Sequence, residues 1–124
     1  MQNNKLEDKK NLKHRAYLHA LNIIKFIESL DRKNWATEVI AKQLLRSATS
    51  IGANIIEAQA GSTRKDFTNF FSYALKSANE SKFWLGLLRD SQKIDKNIVN
   101  KLLQETTELA NILASSILTL KGKK

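Results

Sequence analysis

Cysteine and proline are both absent from this 124-residue chain, and glycine occurs only four times. Without cysteine there is no disulfide scaffold, no thiolate metal site and no cysteine nucleophile. The lack of proline and the scarcity of glycine argue against a turn-rich β fold and against a low-complexity disordered chain. Histidine is scarce too. His14 and His19 are five apart and do not share a helix face, so no two-histidine metal motif forms, and no Glu-x-x-His pattern occurs. No apolar run approaches the ~20 residues that a membrane span needs. The first ten residues, MQNNKLEDKK, lack the apolar stretch of a signal peptide. These absences lead us to expect a cytoplasmic, non-membrane protein with no catalytic residues, no metal and no cofactor.

The apolar share of 42% is enough for one core, and the length fits one domain. The apolar residues recur at helical spacing, with breaks near Asp31–Asn34, Gly61–Thr63 and Gln92–Asp95. Four segments follow. The first, about residues 11–31, aligns Leu12, Ala16, Ile23, Ile27 and Leu30, with Tyr17, Leu21 and Ile24 beside them. The second, about 35–59, carries Ala41, Leu44, Ala48, Ile51, Ile55 and Ala58, the alternating three-four spacing of a heptad seam. In the third, about 64–90, Phe67, Phe71, Ala74, Ala78, Ser81, Leu85 and Leu88 do the same behind a Thr63/Asp66 cap. The fourth, about 96–120, starts at Asp95, with Ile94 and Val99 placed as a hydrophobic staple, and lines up Leu102, Thr106, Leu109, Leu113, Ile117 and Leu120. The fold expected is an all-α, antiparallel up-down-up-down four-helix bundle over residues 11–121. Residues 1–10 read as a flexible polar tail and 122–124 as a basic one. A pair of helical hairpins completed by dimerisation is the alternative architecture.

Two features exceed what a core requires. The third segment holds six of the nine aromatic residues, and Tyr73, Phe83, Trp84 and Leu87 fall largely outside its core arc. Apolar side chains left outside a core mark an interface, which predicts a homo-oligomer with this helix at the seam. In the second segment Gln43, Ser47, Ser50, Asn54 and Glu57 form a polar seam. Arg46, Ser50, Asn54 and Glu57, with Ser77 and Glu80 on the third, read either as a buried register-setting network or as a solvated face. In the buried form, Arg46 would pair with Glu57 or Glu80.

The charge is one-sided: 21 Lys and Arg against 12 Asp and Glu, a net of +9. Such a balance attracts polyanions. Lys9, Lys10, Lys13 and Arg15 crowd the start, and Lys121, Lys123 and Lys124 end the chain. An up-down-up-down bundle brings those two regions to one end. Gly61-Ser62-Thr63-Arg64-Lys65 does not have the order of a phosphate loop. Arg64 and Lys65 nevertheless stand at a helix N-terminus, whose free N–H groups can hold one phosphate. Exposed aromatics for base stacking are not evident, which favours backbone recognition over sequence reading.

The stretch from Gln43 to Leu88 resembles the four-helix bundle family of the 23S rRNA intervening-sequence proteins, which also includes the accessory variability determinant of diversity-generating retroelements. The helix-two pattern Q-L-x-R-(A/S)-x-x-S-I-x-x-N-I-x-E is met by Gln43, Leu44, Arg46, Ser47, Ser50, Ile51, Asn54, Ile55 and Glu57. A (K/R)-(D/E)-F start to helix three is met by Lys65, Asp66 and Phe67, and an A-x-x-S-x-x-E segment by Ala74, Ser77 and Glu80. Many relatives carry Gly after the helix-two Glu, with an Arg pair nearby. Here Ala58, Gln59 and Ala60 stand there, which lengthens the helix and removes that basic turn. The resemblance implies a closed ring, often a homopentamer, whose basic surface binds nucleic acid; the retroelement relative also binds a reverse transcriptase.

Charge and resemblance together predict a non-enzymatic homo-oligomeric bundle that binds structured RNA or DNA. Its basic residues would be Lys9, Lys10, Lys13, Arg15, Arg64, Lys65, Lys121, Lys123 and Lys124. The alternative is a protein–protein adaptor, for example one accessory to a reverse transcriptase. Insertion of the first helix into a membrane surface is disfavoured by Glu28 and Asp31.

Overall fold

The computed structural model describes residues 11–31, 33–61, 63–91 and 94–122. They form four helices: α1 (Leu12–Ser29), α2 (Trp35–Ala60), α3 (Arg64–Ser91) and α4 (Lys96–Leu120). No strand occurs among the described residues.

Three helix starts are fixed by short polar side chains that accept from otherwise unpaired backbone N–H groups. Asn34 Oδ1 accepts from Thr37 N at 3.1 Å, Thr63 Oγ1 from Asp66 N at 3.0 Å, and Asp95 Oδ1 from Asn97 N at 2.8 Å. Helix α2 runs through Ala58, Gln59 and Ala60 and stops at Gly61, whose backbone is extended. A Cβ there would lie 3.3 Å from both the Ala58 carbonyl oxygen and the Asp66 Cβ. Glycine thus permits the tight passage from α2 into α3.

The heptad stripes form the core. All six α2 stripe residues, Ala41 to Ala58, are buried. So are the α3 stripe from Phe71 to Leu88 and the α4 stripe from Leu102 to Ile117, while Phe67 and Leu120 are half-buried at the ends. The core divides lengthwise. Leu12 and Ala16 of α1 meet Ile55 and Ala58 of α2, Phe71 and Ala74 of α3, and Leu113 and Ile117 of α4. Ile23 and Ile27 meet Ala41 and Leu44, Leu85 and Leu88, and Val99 and Leu102. Each cluster joins the beginnings of two helices to the ends of the other two, so chain direction alternates around an up-down-up-down bundle.

Small residues set the seams. Ala48, Ala74, Ala78, Ser47 and Ser81 let α2 and α3 approach closely, and these two helices share the longest interface. The hydroxyl oxygens of Ser47 and Ser81 lie 2.9 Å apart across that seam, and both residues are buried. The α1–α4 seam is the shortest of the four.

Helix α1 departs from the expected pattern. Tyr17 and Leu21 are exposed rather than buried on a second side, and Leu30 is only half-buried. His19 and Phe26 occupy the core instead. The spacing Leu12, Ala16, His19, Ile23, Phe26, Leu30 is a regular four-three alternation, and His19 fits it.

Candidate nucleic-acid interface

One end of the bundle gathers the start of α1, the end of α2, the start of α3 and the end of α4. Lys13, Arg64, Lys65 and Lys121 are therefore brought to the same end, and all four are exposed. None is ion-paired among the described residues. Asp66 is the counter-charge nearest in sequence. It sits in the first turn of α3, where a carboxylate is favoured by the helix dipole. Lys9, Lys10, Lys123 and Lys124, also expected here, lie outside the described residues.

Arg15 is a correction. Its guanidinium grips Glu105 of α4 through two bonds, Nε to Oε2 at 3.1 Å and a terminal nitrogen to Oε1 at 2.6 Å. It also donates to Glu108 at 3.0 Å. A fork held by two carboxylates closes the α1–α4 seam and does not present its charge to a phosphate. Nothing in sequence could pair residues 90 positions apart.

The polar set of α2 and α3 is mostly local. Ser50 donates to the Arg46 carbonyl at 2.7 Å and Asn54 to the Ser50 carbonyl at 2.8 Å, both within α2. Ser77 is half-buried and its carbonyl accepts from Ser81 at 2.8 Å, while Glu57 is exposed. Arg46 pairs with Glu80, not Glu57. Glu80 Oε2 also accepts from the Trp84 indole N–H at 3.0 Å. With its side chain 58% exposed, Arg46 makes a surface pair, and surface pairs contribute little. Arg46→Ala should therefore cost less than about 1 kcal/mol in urea denaturation. A loss of several kcal/mol would restore the buried-network reading.

Of the four candidate interface residues, Tyr73, Phe83 and Leu87 are exposed, and Trp84 is half-buried against the core. Phe83 and Trp84 meet edge to face with ring centroids 5.0 Å apart. Trp35 is a second correction, because it is an exposed aromatic that sequence reasoning passed over. It stands 81% exposed at the first position of α2, at the end opposite the four cations.

His19 is the other residue the sequence reading missed, although its place in the α1 alternation was the available signal. It is buried, and its Nε2 lies 2.8 Å from the Thr106 hydroxyl oxygen. Burial lowers its pKa from the ordinary 6.5; nearby Glu105 raises it, and Arg15 lowers it again. The folded protein thus disfavours the imidazolium that the unfolded chain accepts. As pH falls through 6.5 the unfolded state binds more protons, and stability declines. The denaturation midpoint should hold steady above that pH and drop as the pH falls below 6.5. His19→Leu should flatten this drop, and a midpoint unchanged below that pH in the parent chain would contradict the assignment.

Among the described residues no group of three or more His, Asp or Glu side chains is placed to hold a metal ion. No described helix is long and apolar enough to cross a membrane.

Comparison with known proteins bears on this geometry. The sequence model of the family "23S rRNA-intervening sequence protein" matches residues 9–115, which takes in α1, α2, α3 and most of α4. A solved structure from Bacteroides thetaiotaomicron, described as a protein with unknown function from the S23 ribosomal protein family, is 37% identical. It superposes with a TM-score of 0.78 over 85% of this chain and 96% of that one. No curated protein matches the chain.

Proposed function

Because this chain belongs to the 23S rRNA-intervening sequence protein family, we propose that it is a non-enzymatic, homo-oligomeric bundle that binds structured RNA or DNA through its basic end. The carrying observation is the convergence of Lys13 of α1, Arg64 and Lys65 of α3, and Lys121 at the C-terminus of α4 on one end. Such a surface contacts phosphates without reading bases, and each contact releases a condensed counterion. The net charge of +9 would draw the polyanion in from a distance. In a homopentameric ring every subunit would add its own basic end.

The test is a fluorescence-anisotropy titration of a structured RNA and a matched duplex DNA at two salt concentrations. Tight binding at low salt that weakens steeply with added salt is the expected result. No binding of either at low salt would remove the nucleic-acid reading.

A second reading has its own observation. Tyr73, Phe83 and Leu87 leave an apolar face on α3 uncovered, and such faces serve protein contacts. A second copy of the chain is the first occupant to test. A protein partner such as a reverse transcriptase is the second, and it would make the bundle an adaptor.

A further inference from the structure

Helix α3 carries a second heptad seam, outside the core. Tyr73, Lys76, Glu80, Phe83 and Leu87 alternate by three and four residues, and Tyr73, Phe83 and Leu87 are exposed. Together they make a ridge of large side chains. Its one carboxylate, Glu80, already accepts from Arg46 and from the Trp84 indole, so covering the ridge leaves no acceptor unpaired. Lys76 is exposed, and its long stem lets the ammonium reach past a covering surface.

A second uncovered apolar surface lies on the neighbouring side of the bundle, where α1 and α2 meet. A groove runs there over Ala20, Gly52 and Ala53. Ala53 is exposed and the other two are half-buried. The walls are open to solvent: Tyr17 is 62% exposed and Ile56 51%. Along α2 the apolar stripe continues by four-three steps from Ile56 to Leu45, which is also exposed.

Ridge and groove match in length and in level. Tyr73 and Phe83 are about 15 Å apart at the helical rise, and Ile56 and Leu45 about 17 Å. The Ser47 and Ser81 hydroxyls meet across the antiparallel α2–α3 seam. Counted from that pair, Phe83 stands level with Leu45, and Tyr73 with Ile55, next to Ile56. A copy turned about an axis parallel to the helices keeps these levels. It brings Phe83 to Leu45 and Tyr73 to Ile56 of its neighbour, as a ridge entering a groove. One head-to-tail contact then covers both apolar surfaces, whereas pairing α3 with α3 leaves the groove open to water. The two surfaces share α2 and lie on adjacent sides, so each contact turns the next copy and the series closes on itself instead of growing straight.

We infer that the α3 ridge of one copy seats in the α1–α2 groove of the next. This rests on the homo-oligomeric reading above and names the two faces that carry it. Because the helices stay parallel, all the basic ends share one rim.

The test is a mixing experiment on the full chain, read by sedimentation velocity at about 100 μM. Phe83→Arg breaks the ridge and Ala53→Arg fills the groove, and both positions are exposed. Each variant alone should sediment as a single chain, where the parent is an oligomer. Mixed in equal amounts they should form a two-chain species and nothing larger, because one intact ridge and one intact groove remain. Cross-linking gives a readout independent of these charges. The chain has no cysteine, so Phe83→Cys with Leu45→Cys in one chain should oxidise to linked chains. Neither single variant should link. Nor should Phe83→Cys with Ile56→Cys, whose sites are about 17 Å out of level and beyond the reach of a disulfide. An Ala53→Arg chain that keeps the parental oligomer, or a mixture that stays single-chain, would overturn the inference and leave homo-oligomerisation standing. Efficient linking of Phe83→Cys alone would do the same, in favour of α3 against α3. A parent chain that is itself monomeric would overturn both.

Discussion

Reversing Lys13, Arg64, Lys65 and Lys121 to glutamate together is expected to lower affinity for structured RNA by about a thousandfold at low salt. Four phosphate contacts on a duplex give a log–log salt slope of about −3.6, so the parent chain itself should lose about a hundredfold between 50 and 200 mM salt. The quadruple variant should lose both the affinity and most of the slope. The loss cannot come from unfolding by these charges alone. Arg64→Glu and Lys65→Glu place anions in the first turn of α3, where the dipole favours them. Lys121→Glu puts an anion at the end of α4 and costs only about 0.3–1 kcal/mol. Reversal of Lys33, Lys42, Lys96 and Lys101, all exposed on the turn before α2, on α2 or on the first part of α4 toward the other end, is the control matched in charge and should change binding far less. Equal losses from the two sets would mean that net charge, not the basic end, carries the affinity.

How much of this was legible in the chain depends on the range of the interaction. The α2 stripe from Ala41 to Ala58 is a strict alternation, and every member is buried. The caps at Thr63 and Asp95 are read from side chains two or three residues from their partners, and both form. The short passages between helices fix chain direction, which is why the basic ends of α1, α3 and α4 could be placed together. Interactions across helices were not legible. Arg15 looked like one more cation in a basic run because its carboxylates lie on α4. His19 continues the α1 alternation between Ala16 and Ile23, yet a polar side chain does not by itself mark a core position. Its partner Thr106 sits 87 residues away. Trp35 was hidden differently. As the first residue after a capped turn, it lies outside the periodic stripe that flags a face.

Leu85→Ala and Phe83→Ala, two residues apart on α3, should separate core from interface. Leu85 is fully buried against Ile23, Leu44 and Val99, and its truncation leaves a cavity that should cost about 2–5 kcal/mol. Phe83 is 59% exposed in the single chain, so in a monomer its loss should stay within about 0.5 kcal/mol. If copies pack over α3, assembly adds stability by mass action, and the urea midpoint of the parent chain rises with protein concentration. Leu85→Ala should then lower the midpoint at every concentration while keeping that rise. Phe83→Ala should remove the rise and leave the dilute midpoint nearly unchanged. Sedimentation of the same samples should show the parent as an oligomer and Phe83→Ala shifted towards monomer. A concentration-independent midpoint and a monodisperse monomer in the parent chain would leave the aromatic face without a second copy, and would limit the polyanion surface to one basic end per molecule. The salt slope would then be that of a single bundle, about −3.6 for four contacts. A steeper slope accompanied by the concentration-dependent midpoint would instead tie the apolar face of α3 to the nucleic-acid surface, because assembly would be what multiplies the contacts.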